Sequence, residues 1–328
     1  MNLREGVTKK IIRAAGAVAP FFDIVFAPLT FLSVVWFRIV RYWGVKRLPV
    51  TRKIFLRLGL FPIVNHYYEP LFDYRKIPST PPTVSHLDFN DATQLSFLRS
   101  LNYGGELLAL PNQKQGAGEE YYYGNGSFNS GDAELYYSIL RKNKPRKILE
   151  IGSGFSTLAA LKAIARNTAE DSGYSCDLTC VEPYEMPYLE KLNVHLIRKK
   201  IEELDTVIFN GLQEGDVFFV DSSHIIRPGG DVNYLILKMA PFIKPGVWIH
   251  FHDIFLPKEY PIAWLRDEFR MWNEQYLLEA FLIANHDFEI VCALNYLNNK
   301  YPEEVARAFP VLGREPDRDP GSFWIRKK

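Results

Sequence analysis

An α/β fold, a seven-stranded, mainly parallel, doubly wound sheet over residues 131–328, is predicted for this sequence, behind an N-terminal helical and loop-rich extension. Three observations carry that expectation. From Arg146 onward, short apolar runs alternate with amphipathic helical segments. One of those runs ends in a glycine turn that opens directly into a helix. Finally, 328 residues that are 47% hydrophobic and 23% charged suffice for a full core plus an extension with work of its own.

The extension divides in two. Residues 1–56 read as basic, apolar helices that associate with a membrane or pack on the rest of the chain. Residues 1–57 hold eleven Lys or Arg against Glu5 and Asp23, a balance of +9, while the remaining residues, with 28 basic and 36 acidic side chains, carry −8. A basic head among apolar residues suits an anionic lipid surface. Between Arg13 and Arg38 the only charge is Asp23 in 24 residues, about 36 Å as a helix and long enough for a bilayer core. Pro20, Pro28 and Asp23 argue against a clean span, and basic residues on both flanks (Lys9, Lys10, Arg13; Arg38, Arg41, Lys46, Arg47) give no orientation bias. A re-entrant or interfacial anchor at the cytoplasmic face is therefore the expectation, with the rest of the chain in the cytoplasm; a true span and a helix pair packed on the rest of the chain are the alternatives. Residues 57–130, with Pro62, Pro70, Pro78, Pro81, Pro82 and many aromatics, read as a loop-rich cap. Within it Tyr121, Tyr122, Tyr123 and Phe128 are candidates to wall a pocket.

The glycine-rich stretch ending at Gly131 marks the start of the catalytic domain, 131–328, with Asp132 as N-cap of the helix DAELYYSILRKN. Strands are expected at Lys147–Ile151, Asp177–Glu182, Val194–Ile197, Asp216–Asp221, Val247–His252, Phe288–Ala293 and Phe323–Arg326. Helices at Thr157–Arg166 and Asp231–Pro241 fill gaps between them, the second with Asp231 as N-cap. The segment WNEQYLLEAFL has apolar residues at helical spacing and reads as core packing, with no role assigned to Asn273, Glu274 or Gln275. Three cysteines, none in a CxxC spacing, fit a reducing compartment.

The first strand runs into Glu150, Gly152, Ser153, Gly154, Phe155 and Ser156. Glycines there let a ligand approach the backbone, and the helix start adds partial positive charge. The third glycine of the dinucleotide fingerprint is missing, which disfavours a dehydrogenase. About 30 residues on, Glu182 closes the second strand in CVEP, where a carboxylate can accept hydrogen bonds from both ribose hydroxyls. With these two motifs the sequence resembles the Rossmann-like class I S-adenosylmethionine-dependent methyltransferases, over about 200 residues. The resemblance implies that Glu150, Gly152, Ser153, Gly154 and Ser156 surround the methionine part of S-adenosyl-L-methionine and that Glu182 holds its ribose, with Asp221 also at the cofactor.

The fourth and fifth strands end in GDVFFVDSSHI and GVWIHFHDIF, which brings Asp221 and the pair His252 and Asp253 to the carboxyl edge of the sheet. Two carboxylates and an imidazole suit a divalent cation, Mg²⁺ or Mn²⁺. Here the sequence is similar to metal-dependent small-molecule and sugar O-methyltransferases, in which an adjacent acidic pair follows the fifth strand; this chain has His252 in the first of those positions. The resemblance implies Asp221, His252 and Asp253 as metal ligands and His224 as general base, with Asp221 beside it. An imidazole can take the proton of a hydroxyl nucleophile near neutral pH. His250 is read as structural, facing away from His252.

The expected enzyme is an O-methyltransferase acting on a sugar, a glycolipid or another small metabolite. An acidic catalytic part disfavours nucleic acid as partner. Two alternatives remain open: a hydroxylase on the same fold with His224, Asp221 and His252 around iron, and a non-catalytic membrane-associated scaffold. Oligomeric state is not readable from the sequence.

Overall fold

The structure is a computed structural model that describes residues 16–77, 86–116, 118–184 and 186–328. Lys9, Lys10, Arg13, Pro78, Pro81 and Pro82, which entered the reading of the extension, lie outside the described residues. The chain forms two compact units, Met1–Arg75 and Lys76–Lys328.

In the first unit one helix, Ala19–Trp43, runs through Pro28 without a break. A second, Pro49–Leu58, ends at Gly59 in the left-handed region at φ 68°. Phe55 is buried between Phe37 and Phe61, at 5.5 and 6.0 Å between ring centres. Neither Pro20 nor Pro28, which argued against a clean span, breaks the helix: Pro20 lies in its first turn, where a missing N–H costs nothing, and Pro28 is absorbed in its interior.

The second unit holds the sheet. Its strands are β1 (Lys147–Ile151), β2 (Asp177–Val181), β3 (His195–Ile197), β4 (Val217–Val220), β5 (Trp248–Phe251), β6 (Phe288–Ala293) and β7 (Phe323–Lys327), in the order 3-2-1-4-5-7-6. β1 to β5 run parallel, and β7 inserts antiparallel between β5 and β6. A strand buried on both faces sends alternate residues to opposite sides. Accordingly Val217, Phe219 and Trp248 join one hydrophobic cluster and Phe218, Val220 and Ile249 the other. The order reverses between β1 and β4, which opens a crevice at their carboxyl ends.

Residues before 131 also belong to this core. Helices Asp91–Arg99 and Gly104–Ala109 contribute Leu98 and Leu107, and Tyr121, Tyr123 and Phe128 are buried with them. Gln94 accepts a 2.7 Å hydrogen bond from the Ala293 amide. Both acidic N-cap assignments are corrected by one position. Gly131 and Gly230 are the N-caps, and Asp132 and Asp231 are the first helical residues. Their carboxylates tie distant segments: Asp132 accepts from the amides of Gly321 and Ser322, and Asp231 from Ser223.

Glu134 caps its own helix at the Gly131 amide and also accepts from Val311 and Leu312. Burial pushes it up to about 7 against the pull of those three N–H groups. The folded chain therefore takes up a proton as pH falls through about 7, and the unfolded chain only near the ordinary 4.5. The stability that this residue contributes rises by about 3 kcal/mol as pH falls across that window, and declines again as pH rises through it. Denaturant unfolding at several pH values should show this slope in wild type and its loss in Glu134→Gln.

Candidate active site

The site is built where β1, β2, β4 and β5 end. After β1 the chain turns at Gly152, at φ +78°, where a Cβ would stand 1.9 Å from the Asp221 carbonyl oxygen. The Asp221 amide in turn donates to the Ile151 carbonyl at 2.8 Å, so the tips of β1 and β4 are knitted backbone to backbone. Only glycine fits that approach. The next helix, Phe155–Glu170, begins at Gly154, whose amide donates to Thr157 Oγ1.

A cavity of about 250 Å³ sits on this turn, lined by Gly152, Glu182, Tyr184, Lys200, Asp221 and Asp231 among others. Glu182 reaches it from the end of β2, its Oε1 accepting from the Tyr184 amide at 2.9 Å. Three of the residues assigned to the cofactor thus share one cavity. The other four, Glu150, Ser153, Gly154 and Ser156, are not among the residues that line it. Glu150 is fully buried and accepts from the hydroxyls of Ser156 and Thr157 through Oε1, while Oε2 has no partner. Burial pushes its carboxyl up to about 8, against those hydroxyls and with Asp221 and Glu182 adding to the rise. Ser156 is therefore a partner of Glu150, and Ser153 meets the Cys180 thiol.

Asp221 links the cavity to a second group of residues. His224 Nε2 is 3.3 Å from Asp221 Oδ1 and 3.8 Å from Asp253 Oδ2. Its Nδ1 lies 2.8 Å from Oε2 of Glu274, a carboxylate only 1% exposed whose other oxygen accepts from Ser222 Oγ. The Trp272 ring packs on the imidazole, 4.1 Å between centres. Both His224 and Asp253 have positive φ, 60° and 57°, uncommon for residues other than glycine. Burial would hold His224 low, but Asp221 and Glu274 win and raise it to about 10. Asp221 is held well below the usual carboxylate range: burial opposes this, and His252 and His224 overcome it.

Asp221, His252 and Asp253 each offer a ligand atom within 4.8 Å of the others, a set that could hold a metal ion. His252 is also 3.8 Å from Asp132, and its neighbouring carboxylates raise it well above an ordinary histidine despite burial. Burial keeps Asp253 above the usual range. The set contains one histidine and two carboxylates, so His224, which faces Glu274 through its other nitrogen, stands outside it.

His250 is structural, buried against Phe219 at 4.0 Å and bonded to Ser322 Oγ. It nevertheless shares the face of His252, 5.8 Å away between ring centres, because residues two apart in a strand point the same way. Phe128 backs His252 at 5.3 Å, whereas Tyr121 and Tyr123 donate to carbonyls inside the core. Glu274 and Trp272 are the residues that sequence reasoning missed. The only trace of Glu274 is an acid at the start of a helical apolar pattern, and that is equally the mark of a solvent-facing helix start.

Residues 149–254, which contain the Gly152 turn, Glu182, Asp221, His224, His252 and Asp253, match a family described as a methyltransferase domain. The match spans about a third of the chain and makes that part similar to methyltransferase domains. A stretch of 170 residues is 27% identical to an uncharacterized protein of Archaeoglobus fulgidus, covering 47% of this chain and 75% of that one. Among solved structures, the O-methyltransferase TomG of Streptomyces achromogenes, in complex with S-adenosylmethionine, aligns at a TM-score of 0.36 and 13% identity, over 71% of this chain and 90% of its own. An O-methyltransferase from Bacillus cereus aligns at 0.35 and 12%, over 71% and 91%. The matched segment places its glycine turn, Glu182 and Asp221 at the crevice of the reversed strand order, where open α/β sheets bind ligands.

Proposed function

We propose that the chain transfers a methyl group from S-adenosyl-L-methionine to a hydroxyl of a sugar, a glycolipid or another small metabolite, with His224 as general base. The observation that carries this reading is the meeting, at Asp221, of the Gly152–Glu182 cavity with the His224–Glu274 pair. The cofactor fits the residues present. Glu182 offers a carboxylate to the ribose hydroxyls, and the Gly152 turn lets the ligand approach the backbone. When bound, the sulfonium supplies an electrophilic methyl group.

Glu274 holds the His224 ring by its Nδ1, which leaves Nε2 directed at Asp221 and Asp253 and available to a hydroxyl placed between them. In the ligand-free site these carboxylates favour the imidazolium. A positive charge next to Asp221 weakens that preference and returns His224 toward the neutral form that a base requires. The donor set of Asp221, His252 and Asp253 also fits a divalent cation, Mn²⁺ more readily than Mg²⁺ because of the imidazole. Such an ion would polarise the acceptor oxygen. The hydroxylase reading is disfavoured by the single histidine of this set, and the scaffold reading by the buried His224–Glu274 pair.

Calorimetric titration with S-adenosylhomocysteine, alone and with Mg²⁺, Mn²⁺ or Fe²⁺, tests the reading. One site per chain is expected without metal, weakened about tenfold or more by Glu182→Ala, since removing a partner of buried hydroxyls costs about 1–3 kcal/mol. Absence of binding, or binding that Glu182→Ala leaves intact, would remove the cofactor assignment.

A further inference from the structure

The helix Ala19–Trp43 is apolar on every side. At about 100° per residue, Phe21, Phe22, Phe26, Val34 and Phe31 fall near 0°, 100°, 140°, 220° and 280° around its axis, so no polar face remains for water. These side chains are exposed, Phe21 and Phe31 at 65% and 68%, and Val40 is the helix's buried residue. An interfacial helix needs a charged face opposite its apolar one. This helix has none between Asp23, one turn from its start, and Arg38. The 19 residues from Ala19 to Phe37 cover about 28 Å, close to the hydrocarbon thickness of a bilayer.

The two ends differ. At the C-terminal end Trp36, Tyr42 and Trp43 form an aromatic girdle, with Trp36 and Trp43 packed edge to face at 6.4 Å. Arg38 stands in the same turns, where long cationic side chains reach the headgroups, while Arg41 is paired with Glu69 and lies over the Phe61 ring. Before the helix stand four Lys or Arg (Arg4, Lys9, Lys10 and Arg13) and Glu5, whereas residues 38–57 carry seven (Arg38, Arg41, Lys46, Arg47, Arg52, Lys53 and Arg57) and no acid, so counting both flanks gives an excess after the helix. Such a run next to a span marks the cytoplasmic side and is attracted by anionic lipid.

We infer that Ala19–Trp43 crosses a lipid bilayer once, with the chain after Trp43 on the cytoplasmic side. This replaces the interfacial anchor expected from the prolines, Asp23 and the basic flanks: neither proline breaks the helix, Asp23 lies about one turn from its start, and the basic excess follows it.

The test uses the full chain with a different tag at each end, produced in a bacterial host. Wild type is expected in the membrane pellet after carbonate extraction. In intact spheroplasts, added protease should remove the N-terminal tag and leave the C-terminal tag. Leu29→Arg with Leu32→Arg should lower the carbonate-resistant fraction about tenfold or more, since each charge at mid-bilayer opposes insertion. Release of wild type by carbonate would overturn the inference, as would protection of both tags, digestion of the C-terminal one, retention of the double variant, or a mature N-terminus beyond Trp43.

Discussion

Gly152→Ala is expected to lower affinity for S-adenosylhomocysteine on the order of 100-fold, because displacements of about 1 Å in a positioned site cost that much. The cause is backbone against backbone. The new Cβ would stand 1.9 Å from the Asp221 carbonyl oxygen, and φ is +78°. The left-handed conformation adds about 1–2 kcal/mol for an L side chain. Relief requires the tips of β1 and β4 to part, which breaks the Asp221 amide bond to Ile151 and moves the carboxylate that joins the cavity to His224. A lowered melting temperature should accompany the loss. Gly154→Ala is the internal control. Its φ of −177° is extended backbone, and its Cβ would meet only the Met186 side chain, at 3.7 Å. That variant should bind nearly as wild type; equal damage from both would mean that the turn is sensitive for a reason other than the approach of β4.

His224→Ala is expected to reduce methyl transfer about 10²–10⁴-fold while cofactor affinity stays near wild type, the signature of a lost general base. Glu274→Gln should lower kcat in the same direction and by less. The amide keeps the size of the side chain but no longer offers a carboxylate to His224 Nδ1. Breaking a buried charged pair costs stability, about 3–5 kcal/mol when one partner is removed outright. Melting curves therefore accompany the kinetics, and the glutamine variant guards against simple unfolding. Glu274 acts through His224, so its effect should fall on kcat and on the pH profile, with the acceptor KM little changed. A raised KM with kcat intact would assign the pair to acceptor binding.

The sheet was legible because buried parallel strands are short apolar runs between helical patterns, and all seven lie within two residues of the expected boundaries. Asp221, His224 and Glu182 were legible for a related reason, since chemistry in an open α/β sheet gathers at strand ends and these residues follow the runs directly. Glu274 was not, because it lies 50 residues from His224 in sequence and the fold alone makes them partners. The segment before residue 131 was hard for the opposite reason. Its prolines and aromatics resemble a loop-rich cap, yet Leu98, Leu107, Tyr121 and Phe128 fill the same core as Phe219. The full burial of Glu150, outside the cavity lining, was also beyond reach of spacing alone, since a turn motif fixes the order of residues and not which side of the backbone each carboxylate takes.

The most direct measurement is a crystal structure of the chain soaked with S-adenosylhomocysteine. The ribose hydroxyls should lie on Glu182, and the sulfur should sit between the Gly152 turn and Asp221, facing His224. Ligand density in another cavity, or on the far side of the Gly152 turn from Asp221, would contradict the account.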